Sequence, residues 1–72
     1  MNLLTVELGR EYTVSALSVE DEALTAFLFS LGCYSGQPIT VISRKKSGCV
    51  VAIKDGRYAM DNNLAAAIAV TA

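Results

Sequence analysis

The sequence predicts a mainly β protein with one α-helix, built as a small five-stranded β-barrel with an amphipathic helix inserted after its first strand. Three observations carry that prediction. Five short runs have strand-like composition and are separated by turn residues, one stretch between the first two has helical spacing, and 72 residues leave room for one domain, 1–72. Short strands joined by tight turns at this length suggest a sheet that closes on itself and so hides its edges.

Taken in chain order, Gly9 can supply a tight turn before a first strand over Tyr12-Thr13-Val14-Ser15-Ala16-Leu17, where β-branched and aromatic residues suit a half-buried strand. Ser18-Val19-Glu20-Asp21 reads as a helix start. Ser18 can accept a free backbone N–H, and Glu20, Asp21 and Glu22 sit where negative charge complements the helix dipole. Leu24, Phe27, Leu28 and Leu31 then fall at i, i+3, i+4 and i+7, and Gly32 follows as a left-handed cap. The spacing predicts a helix over about Val19 to Leu31. Phe29 cannot share a face with Phe27, so Phe27 is assigned to the buried stripe, and Phe29 is either a candidate for a contact patch or packed under a neighbouring loop.

Beyond the helix the pattern turns to strands. Pro38 to Ser43 alternates around Ile39 and Val41, with Pro38 acceptable as a strand's first residue. Arg44-Lys45-Lys46-Ser47-Gly48 reads as a polar, solvated turn, and Cys49 to Lys54 as the next strand. Asp55-Gly56 is the dipeptide of a type I′ hairpin, which returns the chain over Arg57 to Met60. Asp61-Asn62-Asn63 can cap one short helical turn across Leu64 and Ala65, before a last strand over Ala67 to Val70.

Composition narrows the function. Hydrophobic residues make up 53% of the chain, more than an average soluble domain carries, so either nearly every apolar side chain packs inward or some of them face a partner. Six Lys+Arg against seven Asp+Glu lack the basic excess that phosphate neutralisation requires, so no nucleic-acid partner is expected. The longest apolar run, Leu64 to Val70, is far short of the about 18 residues of a spanning helix. Glu7, Arg10 and Glu11 interrupt any export signal, and the chain is expected in the cytoplasm, not inserted in a membrane.

Catalytic groups are scarce. There is no histidine, which removes Ser-His and Cys-His nucleophile pairs and the commonest metal ligand. No Gly-Lys-Ser/Thr loop cradles a phosphate, and the three adjacent acids serve a helix start. Neither an enzyme nor a bound cofactor is expected. Cys33 and Cys49 are the two candidates for a thiolate metal site, although they lie sixteen positions apart and form no CxxC pair. The plainer reading makes one a small buried hydrophobe and the other a half-exposed thiol, both reduced in the cytosol. A small apolar domain with short strand edges is also suited to pairing with itself.

Several segments together resemble one family. The run Leu28-Phe29-Ser30-Leu31-Gly32-Cys33-Tyr34-Ser35-Gly36, then Ile39 and Val41, then Lys54-Asp55-Gly56-Arg57-Tyr58-Ala59-Met60, then Ala66, Ile68 and Val70, resembles the ferrous iron transport protein A (FeoA) family. The resemblance extends from Gly9 onward and rests on the order and spacing of short apolar motifs. The chain departs from the family pattern at Phe27, Cys33, Ser35 and Met60-Asp61, losing two basic positions while keeping the apolar framework.

The resemblance implies an SH3-like barrel with an inserted helix. It implies a non-catalytic accessory role toward the membrane ferrous iron transporter FeoB, through that protein's cytosolic GTP-binding part. The residues around the helix end, Phe29, Cys33 and Tyr34, are the candidates for partner contact. The fold also resembles the C-terminal domain of iron-dependent repressors of the diphtheria toxin repressor type, so a freestanding regulator is the alternative. A thiolate metal-binding protein using Cys33 and Cys49 is the third reading.

Overall fold

Period-two burial identifies the strands in the computed structural model, which describes residues 1–72. In β1 (Glu11–Leu17) Tyr12 and Val14 point inward, in β2 (Pro38–Lys45) Ile39 and Val41 do, and in β3 (Gly48–Ile53) Cys49, Val51 and Ile53 do. β4 (Gly56–Asp61) contributes Met60, and β5 (Ile68–Thr71) contributes Ile68 and Val70. Helix α1 (Glu22–Leu31) lies between β1 and β2, and α2 (Asn62–Ala67) lies between β4 and β5. All five expected strands and the expected helix are present. The short turn foreseen near Leu64 is a full six-residue helix.

The sheet is antiparallel throughout, in the order β4-β3-β2-β1-β5. The closed barrel expected from the sequence is not formed, because β4 and β5 do not pair. β2 serves both sides of the sheet, meeting β1 over Pro38–Thr40 and β3 over Thr40–Lys45. A register shift between Val41 and Ser43 bends it from one partner to the other and turns Ile42 outward. A second shift, between Val14 and Ala16, curls β1 against β5. The connection from β4 to β5 is occupied by α2, which buries Ala65 and stands where a closing pair of strands would be. No helix is long and apolar enough to cross a membrane.

The first ten residues form no named strand or helix, yet they complete the core. Leu3 and Val6 are buried in it. Asn2 bridges to Ala69, the Val70 N–H donates to the Met1 carbonyl at 2.8 Å, and the Gly9 N–H donates to the Val41 carbonyl at 2.8 Å. The Tyr12 hydroxyl accepts the Glu7 N–H at 3.1 Å, which satisfies a buried phenol. Arg44 ties the segment down. Its Nη2 donates to the carbonyls of Leu3 at 2.9 Å and Val6 at 3.1 Å. The sequence alone puts Arg44 in a solvated turn, but β2 continues through Lys45 and the turn is only Lys46-Ser47. The guanidinium therefore leans back over the N-terminal segment as a clamp.

Two further boundaries differ from expectation. α1 begins at Glu22, and its cap is Asp21, whose carboxylate accepts the N–H groups of Ala23 at 2.9 Å and Leu24 at 3.3 Å. Ser18, the residue expected to cap, lies four residues before the helix begins, with its N–H bonded to the Ala67 carbonyl of α2 at 2.8 Å. The β3–β4 hairpin turns at Lys54-Asp55, closing on the pair Ile53 and Gly56. Its positive φ of 52° falls on Lys54. At Gly56 the ring and hydroxyl of Tyr58 lie across the backbone, and a side chain there would displace them.

Both cysteines belong to the core. Cys33 is 0% exposed and Cys49 5%, so the expectation of one half-exposed thiol fails for both. Burial pushes the Cys33 thiol above its ordinary range. It does the same to Cys49, where the nearby Arg44 charge pulls part of the way back.

This packing has two measurable consequences. Arg44→Ala is expected to cost about 1–2 kcal/mol, the scale of charge-assisted hydrogen bonds at a partly screened site, with hydrogen exchange rising first at the amides of residues 2–6. Because the folded thiols titrate above the unfolded ones, their burial contributes fully below about pH 8.5 and is lost as pH rises toward the folded values. The melting temperature should therefore be level from about pH 6 to 8 and fall above about pH 9. The fall should be shallower in a Cys33→Ala/Cys49→Ala chain followed by circular dichroism.

Candidate functional site

The site is built around one buried side chain. Leu28 is the only fully buried residue of α1, at 0% exposure, with Leu24 and Leu31 half-buried beside it. Phe27, expected on the buried stripe, lies outside it at 54% exposure, a correction to the sequence reading: the helix turns Leu28, one position on, into the core instead.

The end of α1 is closed by its own backbone. The Cys33 N–H donates to the Leu28 carbonyl at 2.9 Å and the Gly32 N–H to the Phe29 carbonyl at 3.1 Å, the paired bonds of a Schellman cap. Gly32 has φ 92°, the left-handed conformation expected of it. A side chain at Gly32 would also press on Lys54, 2.9 Å from its Cε. Such a cap brings the residue after the glycine back onto the third residue before the helix end. Those residues are Cys33 and Leu28, and both are fully buried.

Cys33 is thus the inner clasp of the helix end, and its side chain is not available for partner contact. The other two candidates are brought together on the outside. The rings of Phe29 and Tyr34 are stacked, with centroids 4.3 Å apart and planes 20° from parallel. Phe29 is 60% exposed. The Lys54 Nζ sits 5.6 Å from the Tyr34 ring centre, with its stem running along Gly32. Lys54 is a member of this surface that the sequence placed only at a hairpin. No local signal could have joined it to residues twenty positions earlier.

Phe29 also walls an open groove of about 460 Å³ lined by Val19, Glu20, Glu22, Thr25 and Ala26. An exposed aromatic stack, a cation at its edge and carboxylates along a neighbouring groove form a recognition surface. They offer no nucleophile with a base beside it. No three His, Cys, Asp or Glu side chains converge anywhere in the chain, and burial pushes both thiols up, toward the protonated form.

Comparison with known proteins agrees with this architecture. No curated protein matches the sequence. Among solved structures, FeoA from Chlorobium tepidum superposes with a TM-score of 0.88 at 22% identity, covering 99% of this chain and 69% of that one. Iron(II) transport protein A from Clostridium thermocellum gives a TM-score of 0.86 at 22% identity over 99% of this chain, which spans 44% of the Clostridium chain. FeoA from Stenotrophomonas maltophilia, complexed with zinc and described as a procaryotic SH3 domain protein, gives 0.82 at 19% identity, over 97% of this chain and 88% of that one. These likenesses show an SH3-like fold with the sheet left open. The FeoA domain family matches residues 1–72, the whole length described, and the chain belongs to that family.

Proposed function

We propose that this chain is a small non-catalytic accessory of ferrous iron uptake. It acts in the cytoplasm by docking on the cytosolic GTP-binding part of the transporter FeoB and modulating it. The observation that carries the docking surface is the stacked Phe29–Tyr34 pair, with Phe29 60% exposed. Aromatic side chains of this kind dominate binding energy where they are desolvated in an interface.

Family membership supports the iron-transport setting, and the absence of histidine and of any converging ligand set supports a role in contact instead of catalysis. Phe29 and Tyr34 are the contact residues, Lys54 adds a cation at the rim, and Cys33 acts only from beneath by holding the turn.

The test is a pull-down of the purified chain against the cytosolic GTP-binding part of FeoB, with and without nucleotide. Saturable binding is expected. Phe29→Ala/Tyr34→Ala should weaken it by about tenfold or more, the scale of losing an aromatic hot spot, while leaving the circular dichroism unchanged. Unchanged binding by a folded double variant would remove Phe29 and Tyr34 as the docking surface.

A further inference from the structure

β4 is an edge of the sheet that nothing in the chain covers. β3 flanks it on one side, and no backbone hydrogen bond outside the regular elements involves residues 56–61. The opposite edge, β5, is met by the N-terminal segment at Asn2. Because β3 and β4 join through a two-residue turn closing on Ile53 and Gly56, the antiparallel alternation decides which peptide groups are free. Those of Gly56, Tyr58 and Met60 face β3, and those of Arg57, Ala59 and Asp61 face away from it. The side chains of these same three residues are exposed.

Their order makes the edge complementary to itself. Arg57 and Asp61 lie two residues to either side of Ala59 and carry opposite charges. Neither has an ion-pair partner within the chain, where the sole ion pair joins Arg10 to Glu7. Charges on a sheet edge ordinarily oppose pairing. That holds when the charges meet their own sign, and here a two-fold arrangement makes each meet the other.

We infer that β4 is a self-pairing edge, through which two copies of this chain join antiparallel about a two-fold axis at Ala59 to continue one sheet across both. In this register Arg57 falls opposite Asp61 of the second copy at both ends, and Ala59 meets Ala59, small enough for the axis. About four backbone hydrogen bonds form, since the Asp61 carbonyl is committed to α2, whose cap Asp61 is.

The register is specified as well as permitted. Centring the pair on Tyr58 would set Asp55 against Asp61 of the second copy, like charges face to face. The isologous contact leaves α1 and the Phe29–Tyr34 surface outside, so it is independent of the docking role proposed above.

The experiment is sedimentation equilibrium of the purified chain from about 10 µM to 1 mM, the range suited to a small interface. Wild type is expected to move from monomer to twice that mass. Ala59→Pro removes an N–H that does not serve the β3 ladder, and Arg57→Glu sets acid against acid at both ends. Each should weaken association about tenfold or more, with native circular dichroism, and Arg57→Lys should retain it. A chain that stays monomeric to 1 mM would overturn the inference, as would a dimer of folded Ala59→Pro as tight as wild type.

Discussion

Fifteen buried side chains, all apolar, hold five strands, two helices and an irregular N-terminal segment together. That scarcity of apolar volume is the constraint the rest of the structure depends on. A chain of this length buries a modest share of its surface, so each element is attached by very few side chains. β4 is held by Met60, α2 by Ala65 and α1 by Leu28. The N-terminal segment cannot be a loose leader under these conditions. Leu3 and Val6 are needed to fill the core, and Arg44 supplies the bonds that hold their backbone in place.

Sparse attachment also explains the surface. A helix anchored by one residue turns most of its circumference outward, and two phenylalanines of α1 consequently lie in water. The Schellman cap then sorts the residues on either side of Gly32. Leu28 and Cys33 go beneath, Phe29 and Tyr34 stay above, and Lys54 crosses the glycine to reach the tyrosine ring. The same backbone turn that closes the helix thus assembles the exposed aromatic pair. Fold stability and the recognition surface share one structural cause, which places a contact site on a frame with little material to spare.

The two unclosed ends of the sheet are treated differently. β5 is met by the chain's own N-terminal segment, whereas β4 carries opposite charges set about a small residue. An edge built this way limits indiscriminate strand addition without forbidding one specific addition, that of its own copy. The domain then presents two separate surfaces, an aromatic one on α1 and a backbone one on β4.

Much of the fold was legible from local chemistry. Alternation around Ile39 and Val41 located β2, the glycine at position 32 ended α1, and Asp61 capped α2, because strands, caps and turns answer to residues close in sequence. The segments resembling the FeoA family were legible for the same reason. What tertiary structure alone decided was everything requiring a partner far along the chain. The cap fell to Asp21 and not Ser18, Arg44 left its turn for the carbonyls of Leu3 and Val6, and Phe27 stayed outside the core that took in Leu28. Phe29 could be singled out by helical geometry, but its stacking on Tyr34 under Lys54, and the burial of Cys33 between them and the core, depended on how the helix end meets a distant hairpin. The openness of the sheet belongs to the same class, since short strands state that edges exist and only the packed chain settles which of them meet.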